Sequence, residues 1–474
     1  MRRPKLNIEL QRAMANAHSY VEWKSAAEAL DQYLGLEEWR QDPNSVHYRR
    51  DVIEDHIARL QAYRKSGAYA TLVDFLPESL YENLADLTAP ALYMKAHAGT
   101  KYLVNAYFDE AIETIKFLCD VDVPGLSRER KLSRFIAASH NFGRTALMLS
   151  GGATLGYYHV GVARALWDED VLPMVMCGSS MGAIVASAIC TRGDHDLTEW
   201  FEAITTEDRH ALVFLDPQRI LDNRSLLDQT VVRRELERGI DDLSFAEAYE
   251  RTGRILNVTV CPTRRRQKPR LLNYRTAPDV LLIQACLASS AVPLFFPPVT
   301  LLKRSASGRA VEYLPGEQWA DGSLSSDVPK KRLSRLQNVN HFIVSQTNPH
   351  VIPFARAGSG AGVFSRSIKL AGKLARGHGV SVLDAAQELT RGTAIGSLVE
   401  SAHNFLGQDY GGDINIHPRF KPSLYAKMFS NPSARDMAAF VLEGQRATWP
   451  RLEMIRNQTA ISRSLHAAMR SLKG

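Results

Sequence analysis

The stretch "MCGSSMGAIVAS", residues 176–187, decides the fold. Met174–Cys177, just after Pro173, is a short apolar run that reads as a buried strand. Ala183–Cys190 reads as a helix rich in alanine, isoleucine and valine. A strand handed straight to a helix through a glycine-flanked turn belongs to an α/β sheet. Two serines occupy the turn, and only Ser180 has glycine both two residues before it (Gly178) and two after it (Gly182). That spacing lets the backbone cross itself closely and present the side chain. Ser179 has Cys177 and Met181 at the same offsets. A serine hydroxyl is a poor nucleophile until it stands beside a base, with donors ready for the oxyanion. The helix N-terminus behind Ser180 adds a field that favours developing negative charge.

The pattern repeats on either side. Thr145–Leu149 is a second apolar run, ending in Ser150-Gly151-Gly152. A helical pattern follows through Val160, Val162, Ala163, Leu166 and Trp167. Further strands are expected at Ile255–Val260, in the Phe295–Leu302 region and at His341–Gln346. Leu281–Leu302 is the longest uncharged run, but Pro293, Pro297 and Pro298 break it, so it reads as a buried helix, a turn and a buried strand, not as a membrane span. Alternating strands and helices predict a mostly parallel central sheet flanked by helices.

The turn Gly151-Gly152-Ala153-Thr154-Leu155-Gly156 also joins a strand to a helix, and backbone N–H groups there make an anion site. A phosphate-binding loop, of either of two kinds, and an oxyanion hole stay open as readings, beside a merely tight βα turn. As a phosphate loop it lacks the Gly-Lys-Ser/Thr ending. As a dinucleotide fingerprint it has Ala153 at the second glycine and no clear acidic partner. As an oxyanion hole it ends a strand neighbouring that of Ser180. The base is less evident. His159 falls on an apolar helix face and reads as a packed core histidine. Asp321, before Gly322 at the end of a hydrophobic region, is the better-placed acid, although a common Asp-Gly turn explains the local sequence equally.

Residues 1–140 have helical spacing, as in Val52-Ile53-His56-Ile57-Leu60, and are expected to form an all-helical N-terminal domain. Residues 141–346 are expected to form the α/β domain and 347–474 a C-terminal region. In that region Ser433 and Asp436 are spaced to cap a helix, and Trp449-Pro450 separates two terminal helices. Phe364, Ile368, Ala371 and Ala375 fall on one helical stripe of residues 363–377, opposite Arg366, Lys369, Lys373 and Arg376. That is the make-up of an interfacial helix. Arg264, Arg265, Arg266, Lys268 and Arg270 would add attraction to an anionic membrane.

The chain has 474 residues, 45% of them hydrophobic and 23% charged, with a net charge of +7. That profile excludes fibrous and disordered classes. The five cysteines are scattered and form no CxxC pair, which argues for free thiols in a reducing compartment. Basic residues at the N-terminus precede no apolar stretch, so no signal peptide is expected. The expectation is a cytoplasmic protein with peripheral membrane contact, no cofactor and no metal. The positive charge alone favours a non-enzymatic lipid-surface or nucleic-acid-binding protein; the serine and aspartate argue against that, and nucleic acid is not expected as a partner.

Together, Gly151–Gly156, Gly178–Gly182 and Asp321-Gly322 resemble the patatin-like phospholipase family. The family carries a glycine-rich oxyanion turn, a GxSxG nucleophile and an Asp-Gly dipeptide, and works with a Ser-Asp dyad. The resemblance implies Ser180 as nucleophile, Asp321 as proton acceptor, and an oxyanion hole at Gly151, Gly152, Ala153 and Thr154. It implies a serine acyl hydrolase of lipid esters, or alternatively a lysophospholipid acyltransferase. Gly156-Tyr157-Tyr158-His159-Val160-Gly161 echoes another family run, which supports a structural His159. The likeness also covers the helical N-terminal domain of eukaryotic triacylglycerol lipases of this class. Two departures stand out: Ala153 replaces a usual glycine while keeping its N–H, and "CPTRRRQKPR" is unusually basic.

Overall fold

The computed structural model describes residues 3–122, 126–223, 225–264, 267–322, 328–348, 411–419 and 425–473. The N-terminal part consists of helices α1 (Arg3–Asn16), α2 (Tyr20–Tyr33), α3 (Leu36–Gln41), α4 (Arg50–Lys65), α5 (Tyr69–Ser79), α6 (Tyr102–Asp120) and α7 (Arg128–Phe142). The predicted periodicity of Val52–Leu60 falls inside α4. The buried faces, Ile53 and Leu60 on α4 and Val104, Ala111 and Ile115 on α6, enter the same core as the sheet, so helices and sheet share one apolar interior.

The sheet begins with β1 (Arg144–Leu149), α8 (Tyr157–Asp168), β2 (Val175–Gly178) and α9 (Met181–Cys190). Helices α10 (Asp194–Ala203), α11 (Pro217–Asn223), α12 (Gln229–Gly239) and α13 (Phe245–Thr252) lead to β3 (Ile255–Pro262), β4 (Arg270–Leu272) and α14 (Leu282–Ser289). A small hairpin, β5 (Leu302–Arg304) and β6 (Ala310–Glu312), precedes β7 (Trp319–Asp321), α15 (Lys330–Gln337), β8 (Val339–Ser345) and β9 (Ile414–Ile416). The order is β4-β3-β2-β1-β8-β9, with β7 also on β3. From β3 to β9 the pairing is parallel; β4 and β7 are antiparallel to β3. Alternate residues divide between the faces. Leu147, Leu149 and Met176 join the large core, while Ala146, Met148, Val175 and Cys177 pack in a second cluster with Leu333 of α15.

The Phe295–Leu302 region is not a strand. Only Val299 makes a bridge, to Trp319, and regular pairing starts at Leu302. The prolines at 293, 297 and 298 supply no N–H to a ladder. The segment instead uses the carbonyls of Leu294 and Phe295 to accept from Leu226 and Leu227 at 2.9 and 3.0 Å.

Two C-terminal helices, α16 (Ala434–Thr448) and α17 (Leu452–Ser471), close the molecule. The expected cap is present in both directions between Ser433 and Asp436. Helix α16 lies against α8 through facing glycines. A Cβ on Gly161 would strike the Val441 carbonyl, and one on Gly444 would strike that of Tyr158. Among the described residues no helix is long and apolar enough to cross a membrane.

Candidate active site

Ser180 caps α9 with φ 52° and ψ −125°. A non-glycine residue rarely adopts such a backbone, at a cost of roughly 1–3 kcal/mol, and proteins keep it where geometry is used. The glycines that frame it explain how the chain can turn there. A Cβ on Gly178 would collide with the Gly182 carbonyl, and one on Gly182 would collide with the carbonyls of Leu149 and Ser150. Ser180 itself is partly exposed. Its N–H donates to the buried Ser289 hydroxyl at 3.0 Å, while Ser179 N–H donates to the Leu149 carbonyl at 3.1 Å.

Asp321 ends β7 and is 1% exposed. Val260 of β3 pairs with Arg270 of β4 on one edge and with Asp321 on the other. The latter edge is the one β2 occupies as far as Gly178, which pairs with Val258. Thus β2 leaves β3 at the Ser180 turn, and Asp321 takes the edge two residues further on, about 7 Å along the strand. Thr259 stands between them. Its hydroxyl hydrogen-bonds that of Ser179, and Gly322 packs so closely on it that a Cβ there would overlap its backbone.

The Gly151–Gly156 turn ends β1, next to β2 in the sheet. Ala153 takes φ 46°, the left-handed region that favours glycine. Thr154 N–H donates to the Met428 carbonyl at 3.1 Å, and its hydroxyl donates to the Ser430 carbonyl at 2.7 Å. That N–H is therefore already engaged. The N–H groups of Gly152 and Ala153 donate to nothing among the described residues.

His159 is fully buried on α8. Its Nε2 is 3.0 Å from the Ser150 carbonyl, which can only accept, so Nε2 carries the proton. Nδ1 then accepts from the Ser345 hydroxyl at 2.7 Å. Burial pushes its pKa down to about 4. The neutral imidazole ties the end of β1 to the end of β8 beneath the turn. Burial raises the thiols of Cys190 and Cys286 to about 12, so neither is a ready nucleophile.

Local sequence does not point to Ser289, Thr259 or the 428–430 segment. Ser289 is remote from Ser180 in sequence, and nothing local ties the two together. Residues 363–377, Arg265 and Arg266 lie outside the described residues. Among the described residues no group of His, Cys, Asp and Glu is arranged to hold a metal.

Residues 2–140 match the model of a domain of unknown function, DUF3336, and residues 147–332 match that of the patatin-like phospholipases. Triacylglycerol lipase ptl3 of Schizosaccharomyces pombe is 33% identical over 97% of this chain and 97% of its own length. Triacylglycerol lipase SDP1L of Arabidopsis thaliana is 31% identical over 95% of this chain and 57% of its own. A patatin-like phospholipase domain-containing protein of Chaetomium globosum is 34% identical over 97% and 57%. The chain thus spans little more than half the length of the last two. Among solved structures, VipD from Legionella pneumophila overlaps 64% of this chain and 67% of its own at 14% identity, with a TM-score of 0.29, too low to carry an argument.

Proposed function

The chain belongs to the patatin-like phospholipase family, and we propose that it hydrolyses lipid esters, triacylglycerols first among them, with Ser180 as nucleophile and Asp321 as base. Ser180 Oγ attacks the ester carbonyl while Asp321 takes its proton. Gly152 and Ala153 N–H groups hold the oxyanion. Collapse of the tetrahedral intermediate returns the proton to the departing alcohol and leaves an acyl-serine. Water, activated by Asp321, then releases the fatty carboxylate.

The observation that carries this reading is the strained Ser180 backbone at a strand-to-helix turn, on the edge of β3 that Asp321 shares. The substrate class follows the names of the fission-yeast and Arabidopsis relatives. Lipid access is supported by an apolar rim. Phe214 is 66% exposed, Leu294 58% and Phe429 54%. Backbone bonds join the 213–215 and 226–228 segments, Leu226 N–H reaches the Leu294 carbonyl, and Phe295 stacks on Phe429 at 5.2 Å. Met428 beside it holds the oxyanion turn.

A fluorophosphonate probe tests the proposal. Labelling should map to Ser180, and Ser180→Ala should lose both labelling and hydrolysis of emulsified triolein. Labelling at another serine, or hydrolysis surviving in Ser180→Ala, would overturn it.

A further inference from the structure

A cavity of about 830 Å³ opens far from Ser180, at the opposite end of the sheet. It lies where β1, β2 and β3 begin, at Arg144, Val175 and Ile255, and is closed by α6 and α17. Its size falls in the range of small-molecule sites. Its lining is two-sided. Ile112, Pro173, Met174 and Ile255 supply apolar surface. Lys116, Arg144 and Arg470 supply charge, and among the described residues none of the three is ion-paired with a carboxylate. Arg463, also in the lining, is already paired with Asp170. Asp120 is the lone acid of the lining. His466 registers the excess: burial, then the charges of Arg144, Arg470 and Lys473, hold its imidazole below the ordinary value.

Unpaired cations beside apolar walls suit a ligand with an anionic head and a hydrocarbon body. We propose that this cavity binds a single-chain anionic amphiphile, its carboxylate or phosphate head held by Arg144 and Arg470 and its chain laid along Ile112, Met174 and Ile255. The head-group chemistry rests on the cavity alone. The link to the reaction rests on the proposed hydrolysis, which releases a long-chain carboxylate. The fatty-acid product and a monoacyl phosphate lipid share the required chemistry.

The test uses the full-length Ser180→Ala chain, so that binding is read without turnover. Oleate, oleoyl lysophosphatidate and neutral monoolein are titrated below their micellar limits by calorimetry. At least one of the anions should bind and monoolein should not. The tighter of the two identifies the source, carboxylate or phosphate. Arg144→Gln with Arg470→Gln should weaken anion binding roughly tenfold or more, the effect of losing a charge-assisted hydrogen bond. Equal binding of monoolein, or unchanged anion binding in the double variant, would overturn the proposal. Should that variant not fold, a diazirine-bearing fatty acid on the unsubstituted chain decides. Label in residues 112–120 and 459–471 supports the site, and label confined elsewhere refutes it. Failure of the hydrolase reading would appear separately, as esterase activity that ignores Ser180.

Discussion

Replacing His159 by glutamine separates a structural imidazole from a catalytic one. The folded protein holds His159 neutral, with a pKa of about 4 against an ordinary value of 6.5. The unfolded chain therefore takes up the proton first as pH falls. Stability from this group is complete above pH 6.5 and is lost as pH falls from 6.5 towards 4. Linkage over that gap predicts a loss of about 2 kcal/mol from His159 alone between pH 7.5 and pH 5. Other buried histidines, His341 among them, shift the same way, so the quantity to read is a difference. Urea unfolding of wild type and His159→Gln is compared at both pH values. The variant should be less stable at pH 7.5, since the bonds to Ser345 and Ser150 are lost, and its pH dependence should be shallower than wild type by about 2 kcal/mol. Hydrolysis of a water-soluble nitrophenyl ester should persist wherever the variant is folded. Equal pH slopes would refute the buried-neutral assignment. A folded variant with abolished turnover would show that His159 takes part in the chemistry.

Asp321→Asn should abolish ester hydrolysis in a folded protein, and adding Ser180→Ala should cost little more, because members of a catalytic unit are non-additive; an additive double variant would count against the dyad. Ser289→Ala leaves the partly buried Ser180 N–H without its acceptor. At about 1–3 kcal/mol for such a loss, kcat should fall roughly ten- to hundredfold with KM little changed; full activity would show that Ser289 does not set the serine's geometry. Phe214→Asp with Phe429→Asp should depress hydrolysis of emulsified triolein while sparing the soluble ester; equal loss on both would place these rings in the reaction site and not at a lipid surface.

The Ser180 turn was legible because its constraint is local: glycines two residues away on each side, between an apolar strand and an apolar helix. The three-residue strands β4, β7 and β9 were not legible, since a period of two needs more residues to show itself. Asp321 illustrates the difference. Its neighbours suggested no more than an Asp-Gly turn, and only pairing with β3, distant in sequence, brings it to the edge that β2 vacates. Its proposed role comes from the family resemblance, not from any spacing. The engagement of Thr154 by Met428 and Ser430 was hidden for the same reason, because the partners come from a remote segment. Phe295–Leu302 has the hydrophobicity of a buried strand, but Pro297 and Pro298 leave no N–H for a ladder.

The glycine contact between α8 and α16 has a bearing on how this protein is made. Ser180 and its sheet neighbours leave the ribosome long before Gly444, whose missing side chain lets α16 settle on Gly161. Until then the face of α8 that carries Gly161 stays bare. The packing of α8 is therefore completed only once α16 has been made. A message truncated before residue 434 would yield a chain whose α8 lacks its partner helix, a target for chaperones and proteases.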